Sequence, residues 1–297
     1  MIHSQLRSFH AVATEGGFTA AAKVINVGQP TISIQIMALE DLYGVQLFHR
    51  QGRNVVLTDC GMALKNVSQK IFNLEDEAHE LLNNYEGLRS GLLKVGAVGP
   101  YHATPILAKF NKDYPGIKLK VSLGNSMRTL DRLFDYSVDV AVLAHVADNP
   151  TIHAVPYSRH PVVVFVNKNH PFAARQKIRL EELQSQPFIY REQGSTTRLA
   201  FENTLKDAGV SVDIVLEMGS REAVWSTVEQ GMGIGVVSDI EFVPHPNLCI
   251  VEISDANIYT TAHLACLEDR KDTKIIKTFF DVATVVKNNK KFTAYQT

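Results

Sequence analysis

Four short segments of this 297-residue chain gather glycine, hydroxyl and basic residues where a helix would begin. Gly96-Ala97-Val98-Gly99-Pro100-Tyr101-His102 and Gly124-Asn125-Ser126 each follow a strand-like run. Glu192-Gln193-Gly194-Ser195-Thr196-Thr197-Arg198 and Gly219-Ser220-Arg221-Glu222 each open a helical stretch. First-turn amides lack partners inside a helix, so four such termini would suit a small anion such as a carboxylate or phosphonate. Arg198 or Arg221 would add charge-assisted donors. Each Ser or Thr is equally an ordinary N-cap, and Arg221 with Glu222 equally a surface pair of little weight. The candidate contacts to such a small molecule are Tyr101, His102, Asn125, Ser126, Ser195, Thr196, Thr197, Arg198, Ser220, Arg221 and Glu222.

Catalytic chemistry is harder to find. Gly231-Met232-Gly233-Ile234-Gly235 leads from a helix into a strand, the reverse of the order that aims amides at phosphate. There is no His-Glu-x-x-His, Gly-x-Ser-x-Gly or Cys pair, and His10, His102, His145, His160 and His170 lack ligand spacing. No catalytic residue, metal or cofactor is expected; an enzyme remains open only as an unfamiliar site in a binding cleft. With 30 Lys+Arg against 31 Asp+Glu, the chain is no polycation coating nucleic acid or membrane. A 45% apolar and 21% charged composition is globular, and the length suits two folding units. With no membrane-length apolar run, export signal or disulfide framework, a soluble cytoplasmic protein is expected.

Positioning falls to the elements. Ile2, Leu6, Phe9 and Ala13 form one helical stripe ending at Gly16-Gly17; Phe18, Ala21, Ala22 and Ile25 form a second, with Thr19 as its cap. After Asn26-Val27-Gly28, Ile32, Ile36, Leu39 and Tyr43 make the buried stripe of a third helix, leaving Thr31, Ser33, Gln35 and Glu40 outward. Two helices around a tight Gly turn fit a helix-turn-helix, and Leu47–Leu57 reads as a two-stranded wing carrying Arg50 and Arg53. A small helical bundle fits the same pattern.

Leu64, Val67, Ile71, Leu74, Ala78, Leu81, Tyr85 and Leu88 then hold a 3.5-residue period, the seam of a helix that pairs with a second chain. A long helix packed on its own domain is the alternative. Beyond Gly91 strands and helices alternate, including an apolar run at Val138–Ala144 fit for a buried parallel strand. Cys60 is either a redox trigger or a small buried residue.

Phe18-Thr19-Ala20-Ala21-Ala22, Gln29-Pro30-Thr31-Ile32-Ser33, Ala38-Leu39-Glu40, Gly44-Val45-Gln46-Leu47-Phe48-His49-Arg50 and Val56-Leu57-Thr58 with Gly61 resemble the reading head of LysR-type transcriptional regulators. The resemblance implies an α/β chain in three parts: a winged helix-turn-helix over 1–58, a dimerisation helix over 59–89, and a two-lobed effector domain of periplasmic-binding-protein type over 90–297. Lobe I would take about 90–160 and 266–297, and lobe II about 161–265. It also implies dimers or tetramers on promoter DNA, contact with RNA polymerase, and no membrane partner. Base and backbone contacts would fall to Gln29, Pro30, Thr31, Ser33, Gln35, Arg50 and Arg53.

The segments at 99–102, 124–126, 191–195 and 219–224 look like a subgroup associated with aminoethylphosphonate catabolism, which implies a zwitterion whose ammonium Glu222 or Glu192 would face, with a carboxylate or other oxyanion as the alternative effector. A solute-binding protein would explain the two lobes but leave the head and seam without purpose. Family members often carry a basic residue at Ile34 or Met37. Residues 1–57 hold only Arg7, Lys23, Arg50 and Arg53 against Glu15, Glu40 and Asp41, so one head alone should bind DNA weakly.

Overall fold

The computed structural model describes residues 2–51, 54–83, 88, 90–146 and 148–293. Arg53 and Tyr85, and the side chains of Arg50 and Leu81, lie outside the described residues. The chain divides into two units, Met1–Asn83 and Asn84–Thr297. No helix among the described residues is long and apolar enough to cross a membrane.

In the first unit, α1 (His3–Glu15), α2 (Phe18–Val24) and α3 (Gln29–Tyr43) precede the hairpin β1 (Phe48–Gln51) and β2 (Asn54–Leu57) and the long α4 (Asp59–Asn83). Leu6, Phe9, Val12, Ala21, Ile32, Ile36, Leu39 and Leu47 close a single core. Helix α1 stops because Gly16 takes the left-handed conformation, and α3 stops the same way at Gly44. Two expectations fail here. The cap position of α2 is Gly17, with Thr19 already inside the helix, and Tyr43 is exposed because the core is complete at Leu39.

Helix α4 carries two faces. Leu64 and Phe72 pack on the head core, Ser68 shares a hydrogen bond with His10 of α1, and the Phe72 ring lies 4.9 Å from that of His10. The other face, with Val67, Ile71, Leu74 and Ala78, is exposed within the chain. Leu88 departs from the seam, since it packs against the core of the second unit. Cys60 is exposed, not buried. The start of α4 is fixed by close approach: a Cβ on Gly61 would lie 2.1 Å from the Leu47 carbonyl oxygen. Gly61→Ala is therefore expected to lower the stability of this unit by about 1–3 kcal/mol, read as a lower unfolding midpoint.

The second unit is α/β. Its elements are β3 (Gly91–Ala97), α5 (Pro100–Asp113), β4 (Ile117–Leu123), α6 (Ser126–Phe134), β5 (Val140–Leu143), β6 (Ile152–Asn167), β7 (Lys177–Ile178), β8 (Pro187–Arg191), α7 (Thr196–Asp207), β9 (Asp213–Met218), α8 (Arg221–Glu229), β10 (Ile234–Ser238), β11 (Leu248–Ile253), β12 (Tyr259–Leu267) and α9 (Lys274–Thr293). The strand order β4-β3-β5-β12-β6-β10-β8-β9 makes β6 the shared strand of two lobes. Its first part pairs with β12, and Val162–Asn167 pair with β10 and β11. The chain leaves lobe I near residue 161. It returns at Ile258–Tyr259, not near 265, because β12 runs along lobe I from its first residue. Helix α5 begins at Pro100, which places Tyr101 and His102 in its first turn.

Candidate functional site: a reading helix and an interlobe cleft

On α3, Ile32, Ile36 and Leu39 face the core. Gln29, Pro30 and Thr31 are exposed at the helix start, where first-turn amides are available to phosphate. Gln29 Nε2 lies 3.5 Å from Ser33 Oγ, so these two polar groups neighbour each other. Gln35 is not outward: its Oε1 accepts from the buried Ser8 hydroxyl of α1. Glu40 also turns inward, accepting from the Leu47 amide at 2.8 Å. A residue at 35 lies about a quarter-turn from the Ile32–Ile36 stripe and not opposite it.

The cleft is built from the first turns of α5 and α6 in lobe I and of α7 and α8 in lobe II. Gly99 precedes α5 with extended backbone and no capping side chain, and Pro100 takes the first helical position. Arg221 reaches this turn from α8. Its Nη2 donates to Glu241 Oε1 at 2.8 Å, and its Cζ lies 6.0 Å from the Tyr101 ring centre. A Cβ on Gly99 would sit 3.1 Å from Arg221 Nη1 and 3.4 Å from Glu241 Oε1, so glycine lets the ion pair abut the backbone. Glu241 is 7% exposed in its side chain. Burial raises its carboxyl pKa, opposed by Arg221, Arg191 and His160.

Beside this pair lies a histidine cluster. His160, on β6 where the lobes join, is 3.2 Å from Asp239 Oδ1 through Nδ1, and its ring is 5.1 Å from that of His102. His102 Nδ1 is 3.3 Å from the Ser158 hydroxyl. His160 Nε2 is buried without a hydrogen-bond partner. A cation, a buried carboxylate and imidazoles thus surround the open end of α5, an arrangement able to hold an oxyanion that also donates hydrogen bonds.

Other expected contacts hold the lobes together. Asn125 caps α6 by accepting from the Arg128 amide, while its Nδ2 donates across the cleft to Glu192 Oε1 at 3.2 Å. Thr196 donates to Ser126 at 2.8 Å, also across the cleft. Ser195 and Ser220 cap α7 and α8, and Thr197 is half-buried in the first turn of α7. Arg198 is committed elsewhere: it bonds Glu202, Glu217 and the Arg191 carbonyl and stacks on Tyr190. Glu222 is exposed, and Arg221 pairs with Glu241 in its place. Glu192 is held by Arg191 at 2.7 Å. Asp239 and Glu241 escape the sequence reading because no glycine-rich helix start marks them, and His160 enters it only for metal-ligand spacing.

Comparison with known proteins agrees with this construction. Residues 3–62 match the bacterial regulatory helix-turn-helix of the lysR family, and residues 86–285 match the LysR substrate binding domain. The HTH-type transcriptional activator CmpR of Synechocystis sp. is 33% identical over 236 residues, covering 79% of this chain and 78% of its own. The RuBisCO operon transcriptional regulator of Allochromatium vinosum shows the same identity and coverage. The regulatory domain of Synechocystis CcmR, solved in complex with 2-PG, is 29% identical, with a TM-score of 0.62 over 67% of this chain and 99% of that one. CbnR complexed with its target DNA shares the fold, with a TM-score of 0.72 at 21% identity over 96% of this chain and 100% of that one. The chain belongs to the LysR family of DNA-binding transcriptional regulators.

Proposed function

We propose that this regulator pairs through α4, reads promoter DNA through α3 and the wing, and is set by a small oxyanion seated between the lobes at Arg221. The observation that carries the effector site is Arg221 of lobe II lying against the Gly99–Tyr101 turn of lobe I. An anion there would exchange the Glu241 carboxylate for its own oxygens and gain the first-turn amides of α5. Phosphate-bearing and phosphonate-bearing acids fit this chemistry. The 2-PG complex of the CcmR regulatory domain favours the former, and Glu241 would suit the ammonium of 2-aminoethylphosphonate. Tyr101, His102 and Ser220 flank this seat, while Asn125, Ser126, Ser195, Thr196 and Thr197 act in closing the lobes. Closure would alter the spacing of heads in the dimer or tetramer, and with it the contact to RNA polymerase, by no more than the effector's differential affinity for the two states.

A thermal-shift titration against 2-PG, 2-aminoethylphosphonate, phosphate and simple carboxylates tests this seat. At about a hundred times its dissociation constant, a true effector stabilises the native state by about 2.7 kcal/mol. A shift with one phosphorus oxyanion and not the carboxylates is expected. No shift with any of them would remove the anion from the account.

A further inference from the structure

We infer that the sequence preference of this regulator is set largely by carbon, through Ile34 and Met37 of α3 packing on thymine methyl groups. This rests on α3 being the helix that enters the major groove. With Ile32, Ile36 and Leu39 fixing the core side, the ridge half a turn away runs through Pro30, Ile34, Met37, Ala38 and Asp41. Ile34 is 66% exposed and Met37 46% exposed. The helix core is closed without them, so burial in the head explains neither.

The hydrogen-bonding groups of α3 are concentrated at its start. Gln35 has its carbonyl oxygen engaged by Ser8, and Glu40 serves the Leu47 amide. Gln29, Thr31 and Ser33 remain near the N-terminus, while the middle of the outward ridge offers only aliphatic and thioether surface. Among the groups displayed by base edges in the major groove, the thymine C5 methyl is the one that rewards such a surface. A recognition helix usually gains affinity from added cations, yet this head holds only four, against three acids. Ile34 and Met37 add no phosphate attraction; burying them against methyl groups gives discrimination between T·A and C·G pairs.

The test uses the full-length protein and a duplex site obtained by selection from random sequence. Each thymine of the site is replaced in turn by deoxyuridine, which keeps every hydrogen-bonding group and removes only the methyl. At one or two thymines per half-site the affinity is expected to fall about fourfold, the worth of one buried methylene. Ile34→Ala or Met37→Ala should abolish that difference, and Thr31→Ala should retain it. Equal affinity for thymine and deoxyuridine at every position overturns the inference while leaving sequence-specific binding intact. Failure to select any duplex overturns the DNA-reading role of α3 itself. If Ile34→Ala changes oligomeric mass while the deoxyuridine difference persists, the ridge contacts a second copy and the inference also fails.

Discussion

Replacing Ile71 and Leu74 together with Asp is expected to leave the reading head folded, make the protein monomeric, and weaken operator binding by about 10²–10⁴-fold. Both side chains lie on the exposed face of α4, with Ile71 38% and Leu74 64% exposed, while Phe72 and Leu64, the latter expected on the seam, pack on the head from the adjoining face. Two aspartates on a seam that excludes water in the dimer cannot be buried without partners, whereas on a monomer they are simply solvated. The loss on DNA follows from linkage. A head with few cations should bind weakly alone, and pairing would make the second head's binding intramolecular. Sedimentation velocity gives the mass, and anisotropy of a labelled duplex gives the affinity. An unchanged mass would remove α4 as the pairing element.

Arg221→Met should abolish ligand stabilisation and cost the effector unit about 3–5 kcal/mol near neutral pH, because it strands the Glu241 carboxylate in the interior. The loss has a defined pH dependence. Burial already holds the Glu241 pKa above its ordinary 4.5, so folding takes up a proton and stability falls as pH rises from about 4.5 through the raised value. Arg221 is the chief influence pulling that pKa down, and its removal pushes the carboxyl further up. The variant's deficit should therefore be small at pH 5 and fully developed at pH 8, as measured by urea unfolding at both. Adding Glu241→Gln should recover much of the stability without restoring the ligand response. An equal deficit at both pH values would contradict the charge account.

The sequence carried those parts of the molecule whose signals are local. Gly16 ends its helix as its spacing implies, and Ile32, Ile36 and Leu39 are buried as their period requires. Errors came where neighbours decide. Gln35 reads as polar and outward, but Ser8 of α1 offers it an internal partner. The first part of β6, with Pro156, Ser158, Arg159 and His160, has no apolar alternation to mark it and is recruited as a strand by pairing with β12, about a hundred residues away. Arg198 and Arg221 look alike in sequence, each opening a helix behind a hydroxyl. Glu202 and Glu217 neutralise the first outside the cleft, and Glu241 holds the second inside it. Glu241 itself, three residues beyond a strand, carries no local mark of burial.

An anion at Arg221 should change how the protein sits on DNA. Footprinting of the selected duplex should be run on the native protein and on Arg221→Met, each with and without the oxyanion that stabilises the native protein. The expected result is protection by both proteins without ligand, and a ligand-dependent change in the protected region for the native protein alone. The same change in the variant, or none in the native protein, would contradict the assignment of the effector to this cleft.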